Sequence, residues 1–165
     1  VARDLAAYFN LQHPVRAKLP EVTGFRKEKD KGAIAVTVEA PEACIRYSGL
    51  TIRGIKAGPS PAWLQTRLRA IGLNPINNVV DITNFVLHET GQPLHAFDAA
   101  AIAGDTVRVR YLPDKTKFVT LDGVERTLAS TDLMICNRDE GMCIAGVFGG
   151  LRAIRGRLHA ARSRL

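Results

Sequence analysis

The chain is poor in cysteine, in aromatic residues and in long apolar runs, and each shortage removes a class of protein. Cys44, Cys136 and Cys143 are odd in number and stand in apolar or turn-like surroundings. They read as reduced thiols of a cytosolic protein rather than as a disulfide framework. A structural zinc site needs Cys or His in close pairs; Cys136 and Cys143 are seven apart with no partner pair, so no metal site is expected. No stretch approaches the roughly 20 apolar residues that cross a bilayer, and no signal-peptide pattern opens the chain. The expectation is therefore no membrane and a cytoplasmic location. Aromatic residues make up 6% of the chain, which argues against a surface built for stacking nucleic-acid bases.

Charge of one sign looks abundant until its distribution is read. The formal net charge is +7, but the last fifteen residues, Leu151 to Leu165, carry five arginines and no acid. Positions 1–150 then hold 18 basic and 16 acidic residues, and a body so nearly neutral has no general electrostatic footprint for nucleic acid. With 165 residues, 46% of them hydrophobic, the chain has material for one ordinary core.

What is present in excess is short amides in one place. Residues 74–98 contain four Asn, two Asp, one Gln and two His among aliphatic and aromatic side chains. A plain core helix avoids such residues, because their side chains compete for backbone hydrogen bonds. They fit a pocket that presents fixed donors and acceptors to a polar ligand.

Local patterning places that stretch in an α+β fold. Ala2–Asn10 is helix-like, and His13–Lys31 is rich in Lys, Glu and Pro and reads as a linker. Ala33–Val38 alternates as a strand, and Ala43–Ile55 predicts a longer one. Gly58-Pro59-Ser60-Pro61 signals a helix start, with Ser60 as N-cap and Pro61 at the first helical position. Trp63, Leu64, Leu68 and Ile71 then form its buried face, and Gly72 ends it. A second helix runs from Asn78 to about Glu89, with Val79, Ile82, Phe85 and Val86 inward and Gly91 as its stop. Thr83 and Asn84 thereby project from helical backbone, a rigid mount for a site. Thr106–Leu112 is a strand, Phe118–Leu121 and Glu125–Leu128 flank an Asp122-Gly123 turn, and Leu133–Cys136 pairs with Met142–Phe148. Two helices early and hairpins late predict mixed or antiparallel sheets.

Six blocks in order carry a family resemblance: Arg46-Tyr47-Ser48-Gly49, Gly58-Pro59-Ser60-Pro61 with Trp63-Leu64, Pro75 to Asn84, Gly91 to Asp98, Thr120-Leu121-Asp122-Gly123 and Ala145 to Gly150. Together they resemble the beta subunit of bacterial phenylalanyl-tRNA synthetases, over roughly Pro41 to Gly150. The resemblance implies a central module, 41–150, incomplete at its C-terminus. It is preceded by the end of another element and a linker (1–40) and followed by a basic tail (151–165).

The resemblance also implies a function. The family is an α2β2 ligase that joins phenylalanine to its tRNA using ATP and Mg2+, with the synthetic site on the alpha subunit, so no cofactor is expected in this fragment. Its editing module hydrolyses tyrosine wrongly esterified to that tRNA. An apolar pocket rejects an isostere with one added hydroxyl only about a hundredfold, so a second pocket that bonds that hydroxyl is needed. By match to the family, His95 is the catalytic histidine, acting on water or on the ester near the 3′ end of tRNA(Phe). Thr83 and Asn84 line the aminoacyl pocket, and Gly149 is a wall that leaves room for the tyrosine ring. The bland readings are a structural histidine, local helix hydrogen bonds for the Thr-Asn pair, and a glycine kept for its backbone conformation. His88 reads as decoration on a helix face, while Asn77, Asn78, Asp81 and Asp98 read as scaffold. No Ser-His-Asp or Cys-His set stands out, so the expectation is hydrolysis by positioned water without a covalent intermediate. The alternative from a different class is a noncatalytic RNA- or protein-binding scaffold sharing the fold.

Two features depart from the family pattern. Position 74 is Asn where members often carry Arg. After Gly150, a segment leading to a glutamate-bearing strand is replaced by the Arg-rich tail, which contains no Glu. A basic RNA-binding helix is one reading of that tail; frameshifted, non-native sequence is the preferred one. The fragment alone is then expected to edit weakly or not at all.

Overall fold

The computed structural model describes residues 1–26 and 33–151. The chain divides into two compact units, Val1–Gly32 and Ala33–Leu165. In the first, helix α1 (Ala2–Phe9) has no buried residue. Asn10 closes the turn after it, its side chain accepting from the Val15 N–H at 2.8 Å and donating to the Val15 carbonyl at 2.7 Å. The Arg-rich tail lies outside the described residues apart from Leu151.

The second unit contains β1 (Ala35–Val38), α2 (Ala62–Ala70), α3 (Asn78–Thr90), β2 (Thr106–Tyr111), β3 (Lys117–Val119), β4 (Glu125–Thr127), β5 (Leu133–Cys136), β6 (Gly141–Ile144) and β7 (Phe148–Gly149). The sheet order is β1-β2-β5-β6-β7, with β3-β4 as a separate hairpin. Among the described residues only β1 and β2 pair in parallel, because the connection between them is long enough to hold both α2 and α3. This is the α+β architecture with mixed and antiparallel sheets that the patterning implies.

Cross-strand register explains where the core sits, since paired residues share a face. Val109 pairs with Ile135, Ile135 with Cys143 and Cys143 with Gly149. On that side Val107, Ile135, Met142, Cys143 and Ile102 form one core, against which Val36, Tyr47 and Phe97 pack. The opposite side carries Met134, Cys136, Phe118 and Leu128. All three cysteines are free thiols.

Several local expectations are corrected. Ala43–Ile55 forms no strand; its alternation is real, but no ladder takes up its backbone. The N-cap position of α2 is Pro61 rather than Ser60, because the Ser60 hydroxyl is committed elsewhere, donating to Asp81. Of the expected buried face of α2 only Leu64 and Leu68 are buried, while Trp63 and Ile71 are more than half exposed. Ile82 of α3 is likewise exposed, and the single buried residue of that helix is a carboxylate, Asp81. The strand expected at Ala33–Val38 is present as β1 and belongs to the sheet. Gly72 does end α2: at φ +82° it lets its own N–H reach the Arg69 carbonyl and the Leu73 N–H reach that of Leu68, both at 3.0 Å. That is the paired closure typical of a glycine stop.

Candidate functional site

The amide-rich stretch begins with a buried polar knot. Asn77 caps α3, its side-chain oxygen accepting from the N–H groups of Val79 and Val80, both at 3.0 Å. Asp81, fully buried, accepts from the Ser60 hydroxyl at 2.5 Å and the Ile76 N–H at 2.8 Å. Asn78 reaches back to the segment before α2, accepting from the Gly58 N–H at 3.1 Å and donating to the Lys56 carbonyl at 3.0 Å. These side chains act as scaffold: they fix the start of α3 and, with it, the direction in which the next turn projects.

On that next turn stand Thr83 and Asn84, both half-buried. The Thr83 hydroxyl donates to the Val80 carbonyl at 2.7 Å, the local bond that a helical threonine commonly makes. Its oxygen still has lone pairs to offer. The Asn84 amide makes no hydrogen bond among the described residues. An edge-to-face contact between Trp63 and Phe85, centroids 5.6 Å apart, joins the two helices on the side of the following residue.

Helix α3 ends at Gly91, φ +77°, and the chain turns toward the sheet. Phe97 packs on the core cluster, and the His95 ring lies against it with centroids 4.5 Å apart. Asp98 then caps a short turn by accepting from the Ala100 N–H at 3.0 Å.

His95 meets the other end of the chain at Gly149. A Cβ built on Gly149 would come within 2.8 Å of the imidazole Cε1 and 2.9 Å of Leu121 Cδ1. The backbone of Gly149 does not have a positive φ, so the residue is not a glycine for conformational reasons. It is a glycine because the ring of His95 and the side chain of Leu121 occupy the space a methyl would need. Leu121 is held there by its N–H, which donates to the Gly149 carbonyl at 3.0 Å, and by bridge pairing of Thr120 with Gly150. Thr120 is fully buried; its hydroxyl donates to Asp122, which also accepts from Arg126 at 3.1 Å. Those bonds, that of Thr120 first, hold the Asp122 carboxyl below the usual range. Gly123, at φ +80°, closes the turn with its N–H on the Thr120 carbonyl at 2.8 Å.

The electrostatics of the junction follow from burial. His95 keeps an exposed edge, but the protein around its ring penalises the imidazolium and lowers its pKa from the ordinary 6.5. A neutral imidazole at pH 7 is able to accept a proton. On the core cluster, burial first and the neighbouring thiols second push Tyr47 up to about 12. Burial likewise raises Cys143 to about 11, so neither group ionises near neutrality. Among the described residues no group of three or more His, Cys, Asp or Glu is arranged to hold a metal ion.

Of the residues singled out from sequence, His95 and Gly149 are brought together from 54 positions apart. Thr83 and Asn84 share α3, and no hydrogen bond or ring contact ties either to His95 among the described residues. Leu121 and Phe97 carry no side-chain signal of their own in the sequence, although both lie in the family-like blocks. The signal was the Thr120–Gly123 block itself, whose turn delivers Leu121 to Gly149.

Comparison with known proteins places the chain in a family. The B3/4 domain family matches residues 43–154, a span that includes α2, α3, His95 and Gly149. The chain belongs to that family. It is similar to the phenylalanine–tRNA ligase beta subunit of Bacteroides thetaiotaomicron, 57% identical over 153 residues, 92% of this chain and 18% of that subunit. The Porphyromonas gingivalis beta subunit is 57% identical over 155 residues, 93% of the chain and 19% of the relative. That of Bdellovibrio bacteriovorus is 43% identical over 150 residues, 91% and 18%. The chain thus spans about a fifth of the length of the relatives it matches.

Proposed function

We propose that this chain is a segment of a phenylalanine–tRNA ligase beta subunit and carries most of a pocket that hydrolyses tyrosine esterified to tRNA(Phe). The observation that carries the reading is the junction of His95, Leu121 and Gly149, where a side chain is missing just where an imidazole and an apolar wall face each other. On this reading the His95 ring and Leu121, which fill the space above Gly149, form the wall against which the aromatic ring would lie, with the ester near His95. Thr83 and Asn84 would meet the amino or carbonyl end.

The chemistry asks little of the protein. A water oxygen attacks the ester carbonyl carbon, neutral His95 accepts the water proton, and the bond to the terminal ribose oxygen breaks with return of a proton to that oxygen. The aminoacyl ester is already activated, so positioning supplies the remainder and no acyl-enzyme forms. The 3′ end of tRNA(Phe) and an alpha subunit in an α2β2 assembly are the partners this reading assigns to the whole protein, in the cytoplasm. ATP and Mg2+ belong to synthesis on that alpha subunit; the residues around His95 include no carboxylate cluster fitted to a cation, and no step here passes through them. No helix of the described residues is long and apolar enough to cross a membrane.

The test is nuclear magnetic resonance of the His95 imidazole during titration with tyrosine and with phenylalanine. Tyrosine is expected to shift the His95 signals, and His95→Ala to abolish binding without unfolding the chain. Shifts confined to residues remote from His95 and Gly149 would favour a noncatalytic scaffold and remove the hydrolytic reading.

A further inference from the structure

The segment that forms no strand despite its alternating sequence is incomplete in a specific way. Among the described residues, positions 45–52 make no backbone–backbone hydrogen bond; of their main-chain groups the Arg46 carbonyl accepts from the Cys44 thiol at 3.5 Å, and the run has no ladder partner. Along 49–52 Thr51 alone is partly buried, while Gly49, Leu50 and Ile52 are exposed. Gly49 faces β1, where a Cβ would lie 3.0 Å from Val36 Cγ2. Thr51 faces it too, its hydroxyl oxygen accepting from the Ile34 N–H at 3.2 Å. Leu50 and Ile52 point the other way, each 63% exposed, and Ile45 is 95% exposed. β1 is the terminal strand of its sheet. A segment with the exposed apolar side chains Ile45, Leu50 and Ile52 therefore lies beside an open sheet edge without joining it, a template for strand addition.

We infer that residues 45–52 are a docking strand whose neighbour is supplied by the longer beta-subunit polypeptide. That neighbour is an extended apolar segment, which pairs with the 45–52 backbone and flanks Leu50 and Ile52. The occupant is argued from length: the relatives are about five times longer than the stretch they share with this chain. The family match begins at residue 43, so the uncovered segment is part of the domain rather than a connector outside it. This inference does not depend on the hydrolytic reading.

The test is amide hydrogen exchange of residues 45–52 in this chain and in a complete Bacteroides thetaiotaomicron beta subunit carrying this chain's sequence over the matched stretch. The unaltered relative serves as second measurement if that hybrid does not assemble. Exchange is expected to be fast in the isolated chain at every concentration and slower by about a hundredfold or more in the complete subunit, as for a strand inside a ladder. Leu50→Lys with Ile52→Lys should leave the melting temperature of the isolated chain unchanged and abolish that protection. Equal rates in both proteins overturn the inference. So does protection in the isolated chain that grows with concentration, which would make the neighbour a second copy.

Discussion

The start of α3 and the junction at His95 are built by opposite means. At the start of α3 the polar side chains are buried and bonded: Asn77, Asp81 and Ser60 are each at most 5% exposed, and each hydrogen-bonds within the knot. At the junction the imidazole is partly exposed and makes no hydrogen bond among the described residues; ring contact with Phe97 and a bare glycine hold it. Both regions are rich in groups that look chemical in sequence. Dense bonding of buried polar groups marks the scaffold, even though the Asn77 Nδ2 finds no partner there, and unspent bonding capacity beside an open edge marks the candidate for chemistry.

The sharpest way to break that contrast is to cut the knot. Asp81→Ala removes a fully buried acceptor and leaves the Ser60 hydroxyl and the Ile76 N–H without a partner. Stranding buried donors costs about 1–3 kcal/mol each, so a loss of about 2–4 kcal/mol is expected by urea unfolding. Asp81→Asn keeps an oxygen for one of the two donors and should recover part of it. If Asp81→Ala is as stable as the parent while tyrosine binding disappears, the assignment of scaffold and site is reversed.

The converse change is made at Gly149. Alanine there sets a methyl 2.8 Å from the His95 ring and 2.9 Å from Leu121, so the ring must move. Because φ at this position is not positive, the backbone itself accepts alanine. Stability should therefore change by less than about 1 kcal/mol, whereas tyrosine binding and any hydrolysis should fall by about tenfold to a hundredfold, as an ångström of misplacement does. Large loss of stability with intact binding would mean that Gly149 is a packing glycine only.

A milder test uses protons. Burial lowers the His95 pKa, so the folded state binds its proton less readily than the unfolded chain. The sign is fixed by linkage: stability is full above the unfolded value near 6.5 and declines as pH falls below it, because the unfolded state then takes up more protons. Proton titration of the His95 ring should give a midpoint below 6.5, and Phe97→Ala, which opens one side of the ring, should raise it. A midpoint at or above 6.5 in the folded chain would show that the junction does not desolvate the ring.

The two regions also differ in how far the sequence disclosed them. Helix ends were legible because glycine at positive φ is a local necessity, as at Gly72 and Gly91. The sheet strands were legible because alternation needs no knowledge of partners. The meeting of His95 with Gly149 was reached only by family resemblance, since no local rule joins positions so far apart. Leu121 stayed hidden because its importance comes from a backbone bond to Gly149, which no side-chain pattern records. The alternation of 43–55 misled for the same reason: propensity specifies a strand, but a ladder needs a neighbour. Ser60 misled because its hydroxyl had two uses, capping α2 or bonding Asp81, and a sequence does not rank them.

The smallest effect belongs to the contact that couples the two helices outside the knot. Trp63 is 57% exposed, yet its ring meets Phe85 edge-to-face at 5.6 Å with planes 87° apart. Such pairs contribute about 0.5–1.5 kcal/mol beyond the area they cover. A double-mutant cycle with Trp63→Ala and Phe85→Ala should return a coupling near the low end of that range, because solvent reaches the tryptophan. If α3 owes its orientation to the knot, this coupling can be lost while the resonances of Thr83 and Asn84 stay in place. If instead those resonances move as much in Trp63→Ala as in Asp81→Asn, the aromatic pair shares in aiming α3, and the line between a densely bonded scaffold and a sparse site has to be redrawn one turn further along the helix.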